Sequence, residues 1–183
     1  AQDDVPPERR GRWMALIAVA LAAVFLLALA WVLVRGANAD YDDAVAAFRA
    51  GRLDSAAVAF EGLVRDQPEN VTALLYLGRI HRRQGNPEDA AEVLRRAAGL
   101  DSRDPDVRRE LGHLFMDLQR PEAAVAQYER ALEQDPDELR NWAGLIRAMR
   151  ASGDPRAEAL LSEAPADVQA LLARPDTPTQ GRD

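Results

Sequence analysis

Residues 77–97 read LGRIHRRQGNPEDAAEVLRRA, and residues 111–131 read LGHLFMDLQRPEAAVAQYERA. The two stretches lie 34 residues apart and like falls on like: Leu77 on Leu111, Gly78 on Gly112, Ala90 on Ala124, Leu94 on Tyr128, Ala97 on Ala131. Self-similarity at a constant period of this length marks a stack of supersecondary units, each of which buries its apolar side only against a neighbour. Carried outward, the frame starts units at Ala37, Val71, Pro105 and Leu139. Its seventh position then holds Asp43, Leu77, Leu111 and Leu145, and its eighth Ala44, Gly78, Gly112 and Ile146. The twentieth holds Ala56, Ala90 and Ala124, and the twenty-fourth Phe60, Leu94 and Tyr128.

The spacing has a physical reading. Small residues at the eighth and twentieth positions let two antiparallel helices approach closely where they cross, and large apolar residues at the seventh and twenty-fourth fill the space beside the crossing. The fifteenth position, Gly51, Gly85, Gln119 and Gly153, falls where the first helix must end. A glycine there suits the left-handed backbone of a helix C-cap. In Gly85-Asn86-Pro87 and Gly153-Asp154-Pro155 the middle residue is expected to cap the next helix, with proline in its first turn, where no amide donor is missed. The first unit departs from the pattern at Asp40, Asp43 and Ala47, which predicts a loosely packed first helix. In the fourth unit the pattern ends after Asp154. Residues 139–152 are expected to form a helix with Trp142 inward, followed by short capping helices over 155–163 and 166–173.

These residues resemble the tetratricopeptide repeat (TPR) family from residue 37 to about 155. Leu77-Gly78, Ala90, Leu94 and Ala97 fit best, together with Leu111-Gly112, Phe115, Ala124, Tyr128, Ala131 and Pro136. The resemblance implies an all-α fold, a right-handed α-solenoid of three repeats (37–70, 71–104, 105–138) and a partial fourth (139–155), closed by capping helices within 156–173. It also implies a concave groove lined by the second, fifth, ninth, twelfth and thirteenth residues of each unit. Carried over, these are Asn38, Tyr41, Val45, Phe48 and Arg49, then Thr72, Leu75, Arg79, Arg82 and Arg83. The third unit supplies Asp106, Arg109, His113, Met116 and Asp117, and the fourth Arg140, Ala143, Arg147, Arg150 and Ala151. The groove so drawn is an arginine-rich trough with an apolar end at Tyr41, Val45, Phe48 and Leu75. Arginine forks grip carboxylates bidentately, so the expected ligand is an extended peptide with acidic side chains or a free C-terminus. The residues expected to bind it are Tyr41, Phe48, Leu75, Arg79, Arg82, Arg83, Arg109, His113, Met116, Arg140, Arg147 and Arg150. Tyr41 and Val45 stand where the carboxylate clamp of some relatives needs asparagine and lysine, so chaperone-tail binding is not expected.

Upstream of the repeats, residues 13–34 run for 22 residues without a charged side chain, and 12 of them are Leu, Ile, Val or Phe. At about 1.5 Å rise per residue a helix here matches the roughly 30 Å hydrocarbon core of a bilayer, and insertion is favoured by about 4–7 kcal/mol. Trp13 and Trp31 stand near the ends, and Arg12 and Arg35 bracket the span. The competing expectation is a cleaved signal peptide, with Ala37-Asn38-Ala39 as the cut; the length of the apolar run speaks against it. Arg9, Arg10 and Arg12 precede the span, which places the N-terminus in the cytoplasm and the repeats outside by the positive-inside rule. Residues 1–12 read as a flexible lead-in and 174–183 as a disordered tail.

The remaining composition excludes more than it assigns. The chain has no cysteine, so thiolate metal sites and disulfides are absent, and its net charge of −7 argues against a nucleic-acid partner. No nucleophile–base pair, phosphate loop or histidine–carboxylate metal cluster is legible, so neither an enzyme nor a cofactor is expected. His81, at an eleventh position, reads as a core filler. All 23 basic residues are arginine, so an arginine-rich face is partly compositional. The expected role is a protein-interaction scaffold anchored in the bacterial inner membrane, with its repeats in the periplasm. The layout is similar to that of membrane-anchored TPR proteins of cytochrome c biogenesis, and other envelope assembly pathways fit equally. Because the chain starts at Ala1 without methionine, a second expectation stands beside this one. There the repeats are the periplasmic sensory or docking tail of a larger protein with an upstream cytoplasmic enzyme domain.

Overall fold

The structure, a computed structural model, describes residues 19–28 and 40–173. Among them every regular element is helical: α1 (40–49), α2 (Leu53–Asp66), α3 (Val71–Arg83), α4 (Pro87–Leu100), α5 (Pro105–Asp117), α6 (Pro121–Gln134), α7 (Leu139–Ser152), α8 (Ala157–Glu163) and α9 (Ala166–Ala173). The chain divides into two units, 1–43 and 44–183. In the first, residues 19–28 are helical. In the second, the short connections fold each helix back on the one before it: α3 packs on α4, α5 on α6, and α7 on both α8 and α9. Successive pairs stack through α3 against α5 and α5 against α7. This is the hairpin stack that the 34-residue period requires.

The small-large pairing sets the helix crossings. A Cβ built on Gly78 would lie 2.5 Å from the Leu94 side chain, and one on Gly112 would lie 2.7 Å from the Tyr128 ring. A methyl group at either site would force the facing side chain to shift. Leu94 and Tyr128 are almost wholly buried as a result, each worth on the order of 2 kcal/mol in apolar burial. Tyr128 also closes on Gly144 of α7, where a Cβ would meet it at 2.4 Å. Gly144 does not fall on the eighth position, so the period alone does not single it out.

The first-helix turns close alike. Gly51, Gly85 and Gly153 have φ of +72°, +79° and +72°, and Gln119, at the same place in its unit, has φ of +57°. After α3 the Asn86 N–H donates to the His81 carbonyl (2.9 Å) and the Gly85 N–H to that of Arg82 (3.1 Å), a doubly bonded helix stop. The same pair of bonds follows α5, from Arg120 to Phe115 (2.8 Å) and from Gln119 to Met116 (3.0 Å), without a glycine.

Several expectations are corrected. Asn86 makes no side-chain cap bond to α4. Asp154 does not stand at the start of α8, which begins at Ala157; its carboxylate accepts from the Arg156 N–H (2.9 Å) and the Arg156 guanidinium. Side-chain caps lie instead in the turns between units, where Asn70 Oδ1 accepts from the Ala73 N–H and Asp104 Oδ1 from the Val107 N–H, both at 3.0 Å. The α1 segment is not loosely packed from Ala44 onward, because Ala44, Val45, Ala47 and Phe48 are all buried. Trp142 is only half-buried: its Nε1–H donates to the Pro136 carbonyl (2.8 Å) and its ring edges a core of Ala143, Ile146, Ala164 and Val168. That core is where α8 and α9 cover α7.

Among the described residues no helix is long and apolar enough to cross a membrane. Of the apolar span 13–34 only 19–28 is described, and the lead-in 1–12 and the tail 174–183 lie outside the described residues.

Candidate functional site

The first helices of the second to fourth units, α3, α5 and α7, each present the face from which the groove residues come. Their side chains do not form a row of free cations. Glu110 of α5, a residue outside the lining pattern, sits between α3 and α5 with its side chain 4% exposed. Its Oε2 accepts from Arg79 Nε at 3.1 Å and its Oε1 from Arg82 Nε at 2.6 Å. Burial alone would push the carboxyl pKa up. The positive charges of Arg82 and Arg79, with His113 when it is charged, outweigh burial and hold it below the usual carboxylate range. Arg82 also reaches outward, its Nη1 donating to Asp117 Oδ2 at 2.8 Å. Its pKa is raised: burial would lower it, but Glu110 and Asp117 more than compensate. Arg79 lies over the Tyr76 ring (5.5 Å) and Arg83 over the Phe48 ring (5.0 Å).

A second polar link joins α5 to α7. Arg109 is 3% exposed; its guanidinium bonds Asp106 and donates from Nη1 to Asn141 Oδ1 at 3.1 Å. Asn141, wholly buried, donates to the carbonyls of Ala131 (3.3 Å) and Asp135 (3.0 Å). Its acceptor and both donor directions are thereby used, which removes the cost of an unpaired buried amide.

Between these links His113 Nδ1 lies 2.8 Å from the Tyr128 hydroxyl, the rings meeting edge-on at 5.6 Å. Burial lowers the His113 pKa against the pull of Glu110, and burial followed by Glu110 raises that of Tyr128. Both are therefore neutral near pH 7. A neutral His113 and a protonated phenol share this one hydrogen bond.

The sequence-predicted site residues thus divide. Arg79, Arg82 and His113 are half-buried, and Arg83 of α3 and Arg147 of α7 are exposed. Leu75 (4% exposed) belongs to the core, packed with Val107, Leu111 and Leu114 between α3 and α5. Phe48 and Val45 are buried too, Phe48 standing edge-on to Tyr76 at 5.4 Å. The apolar end of the trough is consequently a packed interface and is withdrawn as a ligand surface. Arg109 is withdrawn for the same reason. Met116 is half-buried against the Tyr128, Leu145 and Met149 core. Arg140 pairs with Glu138, whose pKa is drawn down to about 2 by hydrogen bonding to Arg140. Arg150 pairs with Glu158 of α8 at 2.8 Å. Tyr41 lies in the other unit, half-buried.

Glu110 and Asn141 were missed. A signal existed for the first: Arg79 and Arg82 precede Glu110 by 31 and 28 residues, offsets that bring first helices of adjacent units side by side. Asn141 left no such trace, because its partners are mainly backbone carbonyls. No group of three or more metal-ligating side chains occurs among the described residues.

Stacked helical hairpins with a charged groove define a helical repeat protein of the solenoid class. The chain belongs to the tetratricopeptide repeat family: two models of that family match it, over 41–105 and 81–149. Family membership makes it, in class, a protein-interaction scaffold. Among solved structures it is similar to MamA (21% identity, TM-score 0.63, 73% of each chain covered). It is also similar to a Thermobaculum terrenum O-GlcNAc transferase mutant (31% identity, TM-score 0.65), covering 69% of this chain and 25% of that one. The first TPR domain of Spaghetti bound to an HSP90 peptide matches at 20% identity and TM-score 0.61, covering 64% of this chain and 94% of that one. The chain thus spans only a quarter of the transferase. No curated protein matches it in sequence.

Proposed function

We propose that this chain is a membrane-anchored scaffold whose α3–α5–α7 groove binds extended peptide segments of partner proteins in the bacterial envelope, without catalysing a reaction. The observation that carries the groove reading is an inward-held arginine array. Buried Glu110 fixes Arg79 and Arg82 by their Nε atoms, so it does not take up their outer guanidinium nitrogens, and Arg147 of α7 is exposed. Donors fixed before binding lose little entropy when a ligand arrives. A similar fold, that of Spaghetti, holds a peptide. The ligand proposed here is a peptide bearing a carboxylate, matched to guanidinium donors.

The anchor reading rests on residues 13–34. Within them Val24, Phe25, Leu26 and Leu27 are 62–71% exposed. Steps of about 100° spread four consecutive residues around the whole helix circumference, so this segment is apolar on every side and suits a lipid surround. Tethering would raise the local concentration of repeats near membrane proteins, so weak groove contacts can suffice. An envelope assembly pathway is the proposed setting, cytochrome c biogenesis being one such pathway on layout alone.

Two measurements test the reading. Arg147→Glu should abolish photocrosslinking of partner segments in native membranes while leaving far-UV circular dichroism intact; undiminished capture sinks the groove. Reversing Arg79 or Arg82 is the wrong probe, because either change sets a second acid against buried Glu110 and attacks the fold. Alkaline phosphatase fused after Asp183 should be active, and an inactive fusion reverses the topology.

A further inference from the structure

Arg82 is held at both ends by carboxylates of different kinds. Its Nε is bound by Glu110, a side chain that is 4% exposed and cannot leave without abandoning two arginines. Its Nη1 is bound at 2.8 Å by Asp117, whose side chain is 52% exposed. Asp117 is the last residue of α5. A negative charge there faces the negative end of the helix dipole, so the position is unfavourable for α5 itself. Nothing in the packing of α5 asks for an acid at this place. The outward edge of Arg82 does.

Arg147 lies exposed on α7, the next first helix of the stack, which packs on α5. A carboxylate arriving from solvent meets the outer edge of Arg82 with one exposed acid, Asp117, in the way.

We propose that Asp117 is a stand-in ligand: in the empty groove its carboxylate occupies the subsite on Arg82 that a partner peptide's acidic side chain or C-terminus takes on binding. Glu110 is the fixed anchor that keeps Arg82 aimed, and Asp117 is displaced. The occupant of the subsite is a carboxylate exchanged for a carboxylate, so binding releases Asp117 to water and leaves the charge around Arg82 balanced in both states. Asp117 thereby sets specificity. It excludes neutral peptides, which cannot replace its charge, and weakens the grip on acidic ones, which makes capture reversible. This inference rests on the groove reading above and names the chemistry of one of its subsites.

The test uses the full chain in detergent micelles and a fluorescein-labelled octapeptide of alternating glutamate and glycine, with the glutamine-for-glutamate peptide as control. Asp117→Asn keeps the shape but gives up the charge, and should tighten binding of the glutamate peptide on the order of fivefold, the scale of an exposed ion pair. Binding of the glutamine peptide should not change. Arg147→Glu should abolish binding in both backgrounds. If the peptide binds in an Arg147-dependent manner and Asp117→Asn leaves its affinity unchanged or weaker, the stand-in role is wrong and the groove stands. If neither the wild type nor Asp117→Asn binds the glutamate peptide, both fall. Thermal melts of Asp117→Asn by circular dichroism exclude misfolding as the cause.

Discussion

Single atoms decide where this stack tolerates change. The Tyr128 ring fills the space that a Cβ would need on both Gly112 and Gly144. Gly144→Ala is therefore expected to destabilise the fold by about 1–3 kcal/mol, through overpacking rather than lost contact. Gly62, with nothing near its missing Cβ, serves as the control: Gly62→Ala should be neutral or slightly stabilising. Urea denaturation midpoints of the two variants check this. Gln119 makes the opposite case. It holds φ of +57° where three sister positions have glycine, so Gln119→Gly is expected to stabilise by about 0.5–1 kcal/mol, left-handed strain relieved against added freedom in the unfolded chain. A loss of stability would show that the Gln119 side chain contributes more than its backbone costs.

Helix ends carry the next level of argument. The two kinds of turn in each unit look alike in sequence but are built differently. Turns within a unit stop the first helix by backbone bonds around a positive φ, and in the second and third units the next helix starts with proline, preceded by a residue that makes no side-chain cap bond. Turns between units lack that stop, and there the side chains of Asn70 and Asp104 satisfy the first amides of α3 and α5. Asp104→Ala should cost about 1 kcal/mol, and Asn86→Ala only a few tenths, because Asn86 caps nothing. Equal losses in chemical denaturation would overturn this distinction. The caps were assigned to the wrong turns because residue type marks a competent cap but does not say which amide lies within reach.

Across the whole molecule, polar links at successive helix interfaces tie the stack to pH. Both relevant groups have lowered pKa values in the fold, Glu110 through its arginines against burial and His113 through burial against Glu110. A lowered folded pKa means that the unfolded chain binds the proton more readily, so stability is lost on acidification. For His113 the loss begins below about pH 6.5, its ordinary value, and continues down through its folded pKa. For Glu110 it begins below about pH 4.3. The melting temperature should accordingly fall in two stages from pH 7 to pH 3. His113→Gln should flatten the upper stage and Glu110→Gln the lower, each at the expense of stability at pH 7. A single stage unaffected by His113→Gln would detach the histidine from the network.

The order of amino acids by itself determined the repeat. A period of 34 with small and large residues in phase admits few solutions other than stacked hairpins, since each pair has an oily side that only its neighbour can cover. It also determined the uncharged run at 13–34, a property of composition and length that needs no fold to be read. What only the tertiary structure decided is which groove residues face solvent. Position within a repeat places a side chain on a helix face, but burial depends on what the adjacent unit sets against it. Leu75 disappeared under α5, Arg109 was drawn in by Asn141, and Glu110 came from outside the lining pattern to neutralise two arginines. Charges act through space in every direction, and a one-dimensional frame counts only those along the chain.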